Sequence, residues 1–166
     1  MYPILGGRLT QAIAHFLDRV SPEPDLPNDS PEHLRTGRRG EEDAYFYLRR
    51  RGYTMIACNY RSPHYRGEID LVGWDEDVLC FIEVKTRTTR AVKPAEAAVD
   101  REKQKELRLV ARDFLRHIPT SCRWRFDVVA VYYDHGFRQP SFELFQNAFS
   151  VAYNRGFVRS HGKDYR

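Results

Sequence analysis

The sequence predicts an α/β or α+β domain with the element order α-β-β-β-α-β. Three observations carry that expectation. A helical stripe begins near Ser30–Thr36 and ends at Gly52. Short extended runs occupy the stretch from Tyr53 to Lys85, the last two separated by one polar break, Trp74-Asp75-Glu76-Asp77. A second, longer helical stripe after Pro94 leads into the extended run Arg123 to Asp134. A chain of 166 residues with 42% hydrophobic content supports one core of ordinary size.

In chain order, Leu9, Ile13, Phe16, Leu17 and Val20 share one helical face, so residues 1–20 read as an amphipathic helix that docks on its own domain or on a partner. It is too short and polar to span a bilayer, and no secretory segment is apparent. Residues 21–35, rich in proline and acid, read as a linker. In the following helix Leu34, Glu41, Ala44, Tyr45 and Leu48 form one stripe, which turns Glu41 inward and leaves Glu42 about 100° round toward solvent. An acid near a helix start is also what the macrodipole favours, so Glu41 alone has an ordinary explanation. Gly52 is placed as a left-handed C-terminal cap. Tyr53–Tyr60 is the first strand. The long helix after Pro94 carries Val99, Leu107, Val110, Ala111, Phe114, Leu115 and Ile118 on one side, with Lys103 interrupting that side. Arg123–Asp134 is the fourth strand, in which Asp127 and Arg125 read as an internal ion pair. Ser141–Phe149 is a fifth strand or a short closing element, and residues 151–166 are a basic tail.

The second and third strands hold the chemistry. Val78-Leu79-Cys80-Phe81-Ile82 is apolar throughout and then meets Glu83. A run of that kind suits a strand buried on both faces. A carboxylate there costs several kcal/mol unless a cation or hydrogen bonds meet it. If Asp75 and Glu76 form a two-residue loop, Trp74 pairs with Asp77, Asp70 with Phe81 and Glu68 with Glu83. That register puts Glu68, Asp70, Glu83 and Lys85 on one face, and Ile69, Leu71, Ile82 and Val84 on the other. Asp70 and Glu83 then lie diagonally, with backbones about 7–8 Å apart. They can converge on one divalent ion held at about 2.0–2.6 Å. The duller alternative is a Glu83–Lys85 salt bridge on an exposed strand end, with Asp70 terminating its strand.

An Asp followed by Glu-x-Lys on the neighbouring strand resembles the PD-(D/E)XK nuclease superfamily. Gly37-x-x-Gly40-Glu41-x-x-Ala44, Leu48, Gly52-Tyr53, Asn59-Tyr60-Arg61, Gly67-Glu68-Ile69-Asp70-Leu71, Glu83-Val84-Lys85-Thr86-Arg87 and Arg125-Phe126-Asp127 resemble the YraN-like family of bacterial proteins. That family is itself compared with archaeal Holliday junction resolvases. The likeness spans about residues 36–150. It implies a nuclease-like domain there, with a restriction-endonuclease-like α-β-β-β-α-β core and a mixed central sheet flanked by helices. The implied activity is metal-dependent endonucleolytic hydrolysis of phosphodiester bonds in DNA, extended to branched or structured DNA by analogy with resolvases.

The resemblance also implies roles. Asp70, Glu83 and the backbone carbonyl of Val84 hold Mg²⁺ or Mn²⁺. Lys85 holds a water or offsets phosphate charge. Glu41 matches the fourth acidic position of resolvase-like nucleases, and Glu68 has a weaker claim, pairing instead with Lys85 or Arg87. Arg38, Arg61, Arg66, Arg87 and Lys103 are the nucleic-acid-binding candidates, among basic neighbours that include Arg39, His64, Arg90 and Lys93. Tyr60 and Tyr65 are placed to stack on bases. Paired cutting by resolvases implies a homodimer, for which the sequence identifies no face.

Composition agrees with these expectations. A net charge of +4 suits an anionic partner such as DNA. Cys58, Cys80 and Cys122 share no close metal-ligand spacing and read as reduced thiols, which favours a cytoplasmic location without membrane contact. The alternative from a different class is a nucleic-acid-binding or assembly protein that keeps a nuclease-like fold without turnover. Metal-free RNA cleavage through His64, in a turn after Pro63, is a third candidate.

Overall fold

A computed structural model describes residues 31–87, 99–118, 121–133 and 139–149. The N-terminal helix expected over 1–20, most of the linker, Arg90, Lys93 and the basic tail lie outside the described residues. The elements are α1 (Glu32–Arg50), β1 (Thr54–Arg61), β2 (Glu68–Asp75), β3 (Val78–Arg87), α2 (Arg101–Leu115), β4 (Arg123–Tyr132) and β5 (Ser141–Phe145). The expected α/β class and element order hold, with β5 as a true fifth strand. α1 begins inside the stretch read as linker, just after Pro31.

The five strands form one sheet in sequential order. β3 and β4 run parallel, joined by the crossover that contains α2, and every other neighbouring pair is antiparallel. Helices cover both faces. On one, Leu107, Val110 and Phe114 of α2 pack on Phe81, Phe126 and Val128. On the other, Ala44 and Leu48 of α1 pack on Tyr53, Ile82 and Val129. β3 thus sends Leu79 and Phe81 to the α2 side and Cys80, Ile82 and Val84 to the α1 side, which explains its unbroken apolar run. Burying each of the large side chains Phe81, Phe114 and Phe126 contributes roughly 1.5–3 kcal/mol.

α1 ends in the cap expected at Gly52. Its φ is +94°, the Gly52 N–H donates to the Arg49 carbonyl and the Tyr53 N–H to the Leu48 carbonyl. Leu48 and Tyr53 meet in the α1-side core. Nearer the start of the helix, Gly40 lets α1 approach β3 closely: a Cβ there would lie 2.0 Å from Thr86 Oγ1. Leu34, expected on the inward stripe, is 47% exposed because α1 meets the sheet only from Gly40 onward. α2 starts at Asp100, whose carboxylate accepts the Lys103 N–H at 2.8 Å. Val99 is buried but precedes the helix.

The sheet end away from Glu83 is tied by an ionic network centred on one buried acid. Asp127 is fully buried and accepts from Arg125 Nε at 2.8 Å and from the Asn147 N–H at 2.8 Å. Arg125 also donates to Asp75 at 2.7 Å and to the Tyr53 hydroxyl at 3.0 Å. This is the internal ion pair read from the sequence.

Candidate functional site

The β2–β3 hairpin has a different register from the one expected. Its loop is Glu76-Asp77, with Glu76 at φ +54°, so Asp75 pairs with Val78, Trp74 with Leu79 and Leu71 with Ile82. Asp75 stays in the strand because Arg125 and Gln146 hold its carboxylate, while Asp77 turns outward to Arg123. The pairings Trp74–Asp77, Asp70–Phe81 and Glu68–Glu83 are therefore replaced by partners two residues farther along β3. A shift of two preserves the facing of side chains. It brings Asp70 level with Glu83, where the ladder stops, and Asp70 Oδ2 accepts the Val84 N–H at 2.6 Å. A carboxylate stands where main-chain pairing ends.

A second departure lies at the same level. Ile69 packs in the α2-side core and Leu71 in the α1-side core, so they do not share a face. β1 slips in step: Ala57 and Tyr60 both face α2, and Asn59 between them has φ +50°. Cys58 pairs with Leu71 and Tyr60 with Ile69, which sets Asn59 across from Asp70. The double slip carries Glu68 toward α1 and away from the face of Glu83. Its carboxylate is taken by Arg61, at 2.8 Å from Nε and 2.7 Å from Nη2, and not by Lys85 or Arg87.

Glu83 is 4% exposed, which removes the exposed-strand explanation. One oxygen, Oε1, accepts from Lys85 Nζ at 2.7 Å and lies 3.5 Å from Lys103 Nζ. The other, Oε2, is buried without a hydrogen-bond partner. Asp70 is half-buried and its carboxyl is pushed up to about 8, first by burial and next by the charge of Glu83, with Glu41 adding to the push and Lys103 opposing it. Glu41 stands half-buried on α1, one residue past the close contact at Gly40, while Glu42 is exposed as the helical spacing requires. The site thus joins Glu41, Asp70, Glu83, Lys85 and Lys103 from four elements.

Among the described residues no three His, Cys, Asp or Glu side chains converge as a ready-made metal cluster. The donors that do meet are oxygen only: two carboxylates, one with an orphaned buried atom, beside the main chain at Val84. That chemistry suits a hard divalent ion such as Mg²⁺, which keeps several waters and needs only one or two carboxylates from protein.

The model of the uncharacterised protein family UPF0102 matches residues 40–131. The chain belongs to UPF0102. The match takes in Gly40, Glu41, both middle strands, α2 and most of β4, and it is the YraN-like family that the motifs resemble. A UPF0102 protein of Koribacter versatilis (strain Ellin345) is 51% identical over 143 residues, covering 86% of this chain and 96% of the relative. One of Solibacter usitatus (strain Ellin6076) is 45% identical over 114 residues, 68% of this chain and 84% of its own. One of Desulfosudis oleivorans (strain DSM 6200 / JCM 39069 / Hxd3) is 38% identical over 116 residues, 69% and 89% respectively.

Around the UPF0102 carboxylates the basic candidates divide. Lys103 reaches into the cluster itself and also lies 3.4 Å from the Glu68 carbonyl. Arg61 is engaged by Glu68 yet keeps a side chain 65% exposed. Arg66 is exposed, and Arg38 and Arg87 are half-buried. Tyr60 is not a base-stacking platform: it is buried, edge-on to Phe114, with its hydroxyl 3.3 Å from Asp113. Tyr65 packs partly against the same core. His64 is exposed in a turn whose N–H groups are capped by Ser62 Oγ.

Sequence reasoning missed a direct contributor, Asn59. With its amide nitrogen turned to the acids, it lies 3.2 Å from Glu41 Oε2 and 3.1 Å from Glu68 Oε1. The available signal was an Asn inside a strand, where that residue is depleted unless the backbone needs a left-handed turn.

Proposed function

We propose that this UPF0102 chain is a Mg²⁺- or Mn²⁺-dependent endodeoxyribonuclease that hydrolyses phosphodiester bonds, with branched or structured DNA as the substrate class suggested by the resolvase likeness. The observation that carries the proposal is the pairing of half-buried Asp70 with buried Glu83, whose Oε2 has no hydrogen-bond partner. Lys85 and Lys103 meet only Oε1 of Glu83, so the repulsion between the acids and the unpartnered Oε2 remain for a divalent cation to relieve.

Asp70, Glu83 and the main-chain carbonyl of Val84 would hold the ion. When bound, such an ion polarises a phosphate and lowers the pKa of water. Lys85, two residues along β3 from Glu83 on the same face, donates to Glu83 Oε1 and would offset phosphate charge or hold a water beside the ion. Lys103 offsets the carboxylate charge from the α2 side. Glu41 would orient water or a second ion from α1. Arg38, Arg61, Arg66 and Arg87 follow the phosphate backbone and add affinity without base selection. The homodimer needed for paired cuts, and a cytoplasmic setting in keeping with three free cysteines, belong to the same proposal.

A second reading, a non-catalytic nucleic-acid-binding or assembly protein, draws on one observation. Lys85 and Lys103 both lie against Glu83 Oε1, so much of its charge is already balanced. Cleavage assays decide between them. The purified chain is incubated with linear, single-stranded and four-way-junction DNA in Mg²⁺, Mn²⁺ or chelator. Metal-requiring cleavage that disappears in Asp70→Asn and Glu83→Ala is expected. Cleavage surviving both substitutions refutes the assignment, and DNA binding without cleavage under every condition selects the second reading.

A further inference from the structure

We infer that Asn59 is a positioning residue whose side-chain NH₂ is shared between Glu41 and Glu68 and holds Glu41 beside the Asp70–Glu83 pair. The inference rests on the proposed metal site only through the use made of Glu41; the shared amide itself stands on geometry.

Three observations meet at this residue. The amide has two N–H donors and faces two carboxylate oxygens, at 3.2 Å on Glu41 and 3.1 Å on Glu68, so donors and acceptors match one for one. The opposite amide orientation would set a carbonyl oxygen against both acids. Glu68 is a fixed anchor because its other oxygen is gripped by Arg61. The tether therefore runs from Arg61 through Glu68 and Asn59 to Glu41.

The backbone adds the second part. Of the non-glycine residues with positive φ among those described, only Asn59 lies inside a strand; Glu76 and Asn147 sit in turns. Left-handed backbone within a strand is unfavourable for most side chains and tolerated best by Asn and Asp. The departure coincides with the slip that turns Glu68 toward α1. One residue thus supplies both the bend that delivers Glu68 and the donors that connect it to Glu41. Packing alone would favour an apolar or β-branched side chain at this position.

The test uses the full chain and two independent measurements. In ¹H–¹⁵N spectra recorded with chelator, the Asn59 side-chain NH₂ pair, identified by triple-resonance assignment, is expected to move in Glu41→Gln and again in Glu68→Gln. An NH₂ pair at the same position in both variants overturns the shared amide. Mn²⁺ affinity is then measured by calorimetry for wild type, Asn59→Gly, Glu41→Gln and the double variant. Glycine accepts the left-handed backbone, so Asn59→Gly removes the amide without adding strain. The expected loss is about 10- to 100-fold in affinity, as for other residues that orient a metal site, and it should vanish in the Glu41→Gln background. A loss of equal size in both backgrounds overturns the tether to Glu41. If wild type binds no Mn²⁺, the proposed metal site fails, and the amide shifts still decide the role of Asn59.

Discussion

Asp70→Asn should stabilise the metal-free protein while removing its response to metal. The folded carboxyl titrates at about 8 against 3.8 as the ordinary value. Sign follows from proton binding: between those two values the folded chain holds a proton that the unfolded chain has released. Stability is therefore lost as pH rises from about 3.8, and the loss is complete above about 8. At pH 7 the interval spans roughly three pH units at about 1.4 kcal/mol each, a ceiling of about 4 kcal/mol. Asp70 is half-buried, so water relaxation reduces this to about 2–4 kcal/mol. Asparagine cannot ionise, and its carbonyl oxygen still accepts the Val84 N–H that Asp70 Oδ2 receives. Urea unfolding in chelator should give Asp70→Asn a higher midpoint at pH 7, with the advantage shrinking as pH falls toward 4. Added Mg²⁺ should raise the wild-type midpoint by mass action and leave the variant unmoved. An Asp70→Asn midpoint equal to or below wild type at pH 7 would show that Glu83 and burial do not strain Asp70, and the case for a cation at this pair would go with it.

Two further outcomes concern the framework. Arg125→Met should cost about 3–5 kcal/mol by urea midpoint, because fully buried Asp127 would lose its cationic partner while keeping the Asn147 N–H; adding Asp127→Leu should recover part of that loss, and an unchanged midpoint in the single variant would contradict the network. Gly40→Ala should cost about 1–2 kcal/mol despite the better helix propensity of alanine, since its Cβ meets Thr86 Oγ1; Thr86→Ala in the same chain should restore much of it, and a stabilised single variant would mean that α1 does not press on β3 there.

Element order and type were legible because the apolar periods of α1, β3, α2 and β4 each match the faces they bury. The Gly52 cap and the inward turn of Glu41 were legible for the same reason. Hairpin register was not. Asp75 looks like a turn residue until Arg125, fifty residues away, holds it in the strand, and no local pattern reports a partner that distant. The facing of Ile69 was hidden for a related reason: alternation assumes an even strand, and the slip at Asn59 and Asp70 breaks it in both strands together. Asp70 and Glu83 meet regardless, because the register shift preserved parity. Tyr60 was misjudged because an aromatic within a basic stretch looks exposed, whereas the slip turns it onto Phe114.

The seating of α1 makes the chain between Gly40 and Tyr53 a ruler. One end is stopped by the glycine pressed on Thr86, the other by the turn that hands Leu48 directly to Tyr53. Adding or deleting a single residue between those stops would rotate one end about 100° relative to the other. Either Glu41 would swing away from the sheet or the strand entrance would be dragged out of line. Length variation in functional versions of this protein should consequently fall elsewhere, leaving the spacing from Gly40 to Tyr53 constant.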